Sequence, residues 1–153
     1  MAEIACSDIY KKILIATDGS ENSKKAVQSG IELASCTGAD VYAVYVVSTR
    51  SRFGGIPQRG GDWIQTIKSD LEEEGKKALD DAKKDAEEKG VNIETAIIEG
   101  HPANEIIDYA DKNGADLIVI GTLGKTGVNK FLLGSVAQNV VAHANSKVLV
   151  VRD

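Results

Sequence analysis

The chain has 153 residues, 42% of them hydrophobic, which suits one ordinary domain with a real core and leaves little for a second. Its formal net charge is −5 and its pI about 5.1, with basic residues interleaved among acids, so it lacks the clustered Lys and Arg that a nucleic-acid backbone demands. No apolar run approaches membrane-spanning length, and MAEIACSD at the N-terminus has no basic stretch leading into an apolar one, so a cytoplasmic location is expected.

Residues 1–10 read as an N-terminal tail. Lys12 to Thr17 predicts a first strand, and Ser20 or Ser23 then caps a helix whose apolar positions Val27, Ile31 and Ala34 recur at helical spacing until Gly38. Val41 to Val47 predicts a second, continuously apolar strand. Residues 48–61 hold four glycines, a proline and three of the four arginines, and predict a long flexible loop. Arg50, Arg52 and Arg59 fit either a phosphate-gripping lid or a plain connector. Trp63 to Lys89 predicts a long helix with Leu71, Ala78, Ala82 and Ala86 on one face. Pairs four apart, such as Glu72 with Lys76, mark its solvated side. Gly90 stops it. Val91 to Ile98 alternates partly, as a strand near a sheet edge does. Pro102 opens a short helix carrying Ile106, Ile107 and Ala110, and Gly114 closes it. Ala115 to Ile120 is a short β-branched run that reads as a strand buried on both faces. A last helix with Val136, Val140 and Val141 and a fifth strand, Lys147 to Val151, complete the chain.

Strand and helix alternating in this way predict an α/β fold, a parallel sheet with helices on both faces. Ligands in such sheets bind beyond the carboxyl ends of the strands, where the strand order reverses.

The segment GTLGKTGVNKFLLGS, between the fourth strand and the last helix, carries the chemistry. Its glycines, Gly121, Gly124 and Gly134, let a backbone enter φ > 0 or approach a ligand closely, and Ser135 reads as the N-cap of a helix whose free N–H groups suit an anion. Lys125 is near enough to meet a phosphate. A P-loop is excluded, because the residue five before Gly124 is Val119, inside the strand. A dinucleotide fingerprint is absent as well. Asp18 either shapes the turn into the first helix or contacts a ligand. Followed by Gly19, it lacks the acidic pair of response-regulator chemistry. His101 and His143 have no partners at ligand spacing and read as structural, and Cys6 and Cys36 as free thiols. No nucleophile elbow, zinc-protease helix or catalytic carboxylate pair is present, so no catalytic residue is assigned.

The spacing G-x2-G-x9-G-S, formed by Gly121, Gly124, Gly134 and Ser135, resembles the ATP-binding branch of the universal stress protein family. KKILIATDGS (Lys11 to Ser20) is similar to that family's first strand with its Asp, and SKVLVVRD (Ser146 to Asp153) to its closing strand. Leu123 departs from the family, which often has a polar or basic residue there. The resemblance implies a single-domain five-stranded sheet of order 3-2-1-4-5, of the adenine nucleotide alpha-hydrolase-like type. It implies ATP, with AMP or ADP as alternatives, and Mg²⁺ or Mn²⁺ held mainly through phosphate oxygens. Asp18 would lie at the adenine edge beside Ala16 and Thr17, with the Val46 backbone meeting adenine and Thr122, Lys125 and Val136 completing the phosphate side. A homodimer through the strand Lys147 to Val151 is also implied. The expected role is regulatory or sensing, with slow or no hydrolysis. A hydrolase or transferase completed by a partner, and a nucleotide-independent dimeric scaffold, are the alternatives.

Overall fold

The structure, a computed structural model, describes residues 6, 9–48, 61–124 and 132–152, with the backbone alone described at 61–64. Nine elements follow in order: β1 (Lys12–Ala16), α1 (Glu21–Thr37), β2 (Asp40–Val47), α2 (Gly61–Glu88), β3 (Ile93–Glu99), α3 (Pro102–Asn113), β4 (Leu117–Gly121), α4 (Ser135–His143) and β5 (Lys147–Val151). The strands form one parallel sheet in the order β3-β2-β1-β4-β5. The single-domain fold and the order implied by the resemblance are both present.

β1 explains the layering. Its successive side chains alternate between faces, yet Ile13, Leu14 and Ile15 are all fully buried. Ile13 and Ile15 pack with Val27, Ile31 and Val119 under α1 and α2, while Leu14 and Ala16 pack with Ile106, Ile118 and Val140 under α3 and α4. A strand covered twice must be apolar at every position, hence the unbroken runs in β1 and β4. Each such buried Ile or Leu contributes roughly 1.5–3 kcal/mol.

Two helical glycines set how close the helices come. A Cβ on Gly30 of α1 would lie 2.5 Å from Ile15 Cδ1, and one on Gly75 of α2 would lie 2.7 Å from the Tyr45 ring. Helical periodicity alone did not single out either glycine, nor Leu79, which is buried beside Leu71 and Tyr45. Helix ends behave as the sequence predicts: Gly38 and Gly114 take left-handed conformations and close α1 and α3. The start of β1 is fixed by Asp116, whose carboxylate accepts from the N–H groups of Lys11 and Lys12 at 2.8 and 2.9 Å. Cys6 and Cys36 are free and exposed.

Candidate functional site

β1 and β4 lie side by side, Ile15 opposite Val119, and β2 and β5 flank them on opposite sides. Their chains therefore diverge at the carboxyl ends, and a crevice of about 320 Å³ opens there. Ala16, Thr17 and Asp18 line it from β1, and Val46 from β2. Gly121, Thr122 and Gly124 come from β4 and its loop, and Gly134, Ser135 and Val136 from the start of α4. Ten of the eleven predicted site residues thus meet at one place, while Lys125 lies outside the described residues. So do Arg50, Arg52 and Arg59.

The turn from β1 into α1 is closed on itself. Thr17 N–H still bonds to the Val44 carbonyl at 3.0 Å, after which Gly19, at φ 79°, turns the chain. Asp18 Oδ1 accepts from Ser20 N–H at 2.9 Å, the Asx arrangement that starts a helix. Ser20 is the N-cap, its Oγ accepting from Ser23 N–H at 3.2 Å. The Ser23 hydroxyl donates to the Ser20 carbonyl and meets buried Thr17 Oγ1 at 3.0 Å. Asp18 thus caps the turn and faces the crevice together, since a Cβ on Gly124 would come within 3.1 Å of its Oδ2.

The described glycines of the loop after β4 do not use positive φ. Among the described glycines those at positive φ are Gly19, Gly38, Gly90, Gly100 and Gly114. Gly121, Gly124 and Gly134 instead permit close approach. A Cβ on Gly121 would run into Asn22 Oδ1, and one on Gly134 would lie 3.1 Å from the Thr122 carbonyl, which accepts from Gly134 N–H at 2.7 Å.

The expected N-cap at Ser135 is corrected by the backbone. Gly134 is the cap, at φ −60° and ψ 155°, and Ser135 is the first helical residue. A glycine cap has no side-chain oxygen, so the cap residue itself leaves the helix start without a side-chain acceptor, and no acid stands in its first turn. The N–H groups of Ser135, Val136 and Ala137 have no intrahelical acceptors, and all three residues line the crevice. The helix dipole adds partial positive charge at the same point.

On β2, Thr17 N–H bonding to Val44 C=O fixes which backbone groups face β1. Two residues on, the N–H and C=O of Val46 point to that same side, where β1 has already turned away. Pro102 and Ile106 of α3 and Leu71 of α2, from the two faces of the sheet, add apolar lining. These three were not predicted, because they sit on elements whose periodicity reads as ordinary core. Asn22 was missed too; it is 8% exposed, and its Oδ1 accepts from Leu123 N–H at 2.9 Å. Asp18 is the one charged side chain among the described lining residues. His101 is the exposed N-cap of α3, and His143 Nδ1 lies 3.0 Å from the Asn139 carbonyl of its own helix. Among the described residues no group of three or more His, Cys, Asp or Glu is placed to hold a metal ion.

A model of the universal stress protein family matches residues 9–152. The chain is also 51% identical over 145 residues to Universal stress protein MJ0531 of Methanocaldococcus jannaschii, across 95% of this chain and 84% of that one. The chain belongs to the universal stress protein family. Among solved structures, that of MJ0577 from the same organism superposes with a TM-score of 0.79 at 32% identity, covering 95% of this chain and 97% of that one. Two further universal stress proteins were solved with nucleotides. One, in complex with cAMP, gives a TM-score of 0.67 at 26% identity and coverages of 95% and 98%. The other, from Archaeoglobus fulgidus in complex with dAMP, gives 0.65 at 26% identity and coverages of 94% and 99%. Adenine nucleotides are thus ligands of structural relatives within the family.

Proposed function

We propose that this universal stress protein binds ATP in the crevice between β1 and β4 and acts as a regulatory or sensing module. The uncapped start of α4 carries the reading: three backbone N–H groups and a helix dipole meet a crevice also lined by apolar side chains of α2 and α3. The relatives solved with cAMP and dAMP support the adenine class. In this reading Gly121, Thr122, Gly124, Gly134, Ser135 and Val136 form the phosphate side. Ala16, Thr17, Asp18 and the Val46 backbone take the nucleoside, and Lys125 adds a cation to the phosphates.

A divalent ion fits here as a companion of the phosphates: Mg²⁺ would keep phosphate oxygens and waters as its main ligands, since among the described lining residues Asp18 is the one carboxylate. When bound, the ion would screen the phosphates from the Asp18 charge. Asp18 is otherwise committed to the α1 turn through Ser20 N–H, so no described side chain in the crevice is placed as a base for an attacking water. Slow or absent hydrolysis follows, in a cytoplasmic protein.

A homodimer through β5 is part of the proposal. β5 is a sheet edge of five residues, KVLVV, with Leu149 39% exposed. Light scattering should give twice the 16.2 kDa chain mass at micromolar concentration, and a monomer would remove this part. Calorimetric titration with ATP, AMP and ADP, with and without Mg²⁺, tests the binding, and phosphate release in steady state tests turnover. Tight ATP binding with negligible release is expected; no binding of any adenine nucleotide would overturn the reading.

A further inference from the structure

The peptide joining Thr122 to Leu123 is gripped on both edges. Its N–H donates to Asn22 Oδ1 at 2.9 Å, and its C=O accepts from Gly134 N–H at 2.7 Å. Gly134 is the N-cap of α4, so the orientation of this one peptide sets where the helix start sits. Asn22 belongs to the first turn of α1 and lies 101 residues earlier in the chain than its partner. Its side chain is buried against Gly121, where any Cβ would collide with it.

From this geometry we infer that Asn22 is a positioning residue for the phosphate cradle, acting through the Thr122–Leu123 peptide and the Gly134 cap without touching the ligand. The inference rests on the ATP-binding reading of the crevice. Rotated by half a turn, the peptide would aim its carbonyl at Asn22 Oδ1 and its N–H at Gly134 N–H, two pairings of like with like. The amide oxygen of Asn22 therefore selects one orientation. The two bonds polarise the same peptide, and each strengthens the other. Leucine at this position has nearly the same volume and accepts nothing. With Leu123 N–H unpaired, the peptide is free to turn, and Gly134 loses the carbonyl that holds the start of α4.

The test compares wild type with Asn22→Leu in two independent measurements. In calorimetric titrations the ATP dissociation constant should rise by about tenfold, the effect of one unpaired, partly buried donor, while that for adenosine stays within about twofold. In nucleotide-free protein, amide hydrogen exchange at Gly134, which Asn22 does not touch, should accelerate by roughly tenfold or more, while the β1 amides keep their protection. Asn22→Ser, whose hydroxyl ends short of Leu123 N–H and suits a first helical turn, replaces the leucine variant if that fails to fold. Equal weakening of ATP and adenosine, or unchanged exchange at Gly134, overturns the inference. Should wild type bind no ATP, the reading of the crevice fails, and the exchange measurement alone still decides whether Asn22 positions the α4 cap.

Discussion

Two of the helices that begin at the crevice, α1 and α4, have first turns built in opposite ways. α1 starts from Ser20, whose hydroxyl accepts from Ser23 N–H, and carries Glu21 in its first turn. α4 starts from Gly134, with no side-chain cap and no acid in its first turn. The first satisfies one of its own donors, Ser23 N–H, with a side-chain cap and answers its dipole with a carboxylate. The second leaves both to whatever enters the crevice. Both follow central strands that are neighbours in the sheet, so the difference lies in chemistry and not in location. The start of α4 offers an anion backbone N–H groups with no side-chain cap and no acid in its own first turn.

The largest effect should come from filling the cap. Saturating wild type with ATP at about a hundred times its dissociation constant should raise stability by roughly 2.7 kcal/mol. Gly134→Val should abolish that shift in thermal melts. The reason differs from the one the glycine pattern suggests, because Gly134 has an ordinary extended backbone. Its Cβ would press on the Thr122 carbonyl at 3.1 Å and displace the cap. An ATP shift as large as in wild type would break the contrast between the two helices.

Making α4 resemble α1 should sharpen it. Ser135→Glu places a carboxylate at the first helical position, where α1 has Glu21. The ligand-free protein should gain about 0.3–1 kcal/mol from the helix dipole, while ATP binding weakens by about tenfold or more through repulsion of phosphate. Denaturant melts and titration calorimetry would measure the opposite signs. A variant improved in both would contradict the account.

The converse change acts on α1. Ser20→Ala removes the cap on Ser23 N–H and should lower stability by about 1 kcal/mol, with the ratio of ATP to adenosine affinity unchanged. Denaturant unfolding and competition titrations check the two halves.

How much of this contrast was legible beforehand follows from what each signal depends on. The strand order came from the resemblance, while the two-faced burial of β1 was readable from KILIA itself, because a strand covered on both sides must be apolar throughout. Gly38 and Gly114 were readable as helix stops, since their left-handed φ is a local need. The Ser135 cap was misread by one residue: serine is the better capping type, and only the backbone places Gly134 at the boundary. Asn22 was invisible. Its partner is far along the chain, and asparagine in a first helical turn has a sufficient local explanation. Gly30 and Gly75 escaped for the same reason, as their need comes from Ile15 and Tyr45 on other elements.

The smallest expected effect concerns the charge already paired on α1. The Lys24 ammonium hydrogen-bonds Glu21 at 2.8 Å, and that bond and the Glu21 charge hold its pKa above the ordinary 10.5. A raised lysine pKa stabilises the fold fully below the unfolded value and loses that contribution as pH rises through the folded one. The difference in melting temperature between wild type and Lys24→Met should be small at neutral pH, given the exposure of the pair, and vanish in strongly alkaline buffer. A difference that grows with alkalinity would contradict this assignment.

The most direct measurement is an amide chemical-shift titration of the folded protein with ATP and, separately, adenosine. ATP should move the Ser135, Val136 and Ala137 amides strongly and leave Glu21, Asn22 and Ser23 nearly in place, while adenosine should perturb the Val46 amide and spare the start of α4. Equal responses at the two helix starts, or a start of α4 that moves as much with adenosine as with ATP, would contradict the claim that the uncapped helix holds the phosphates.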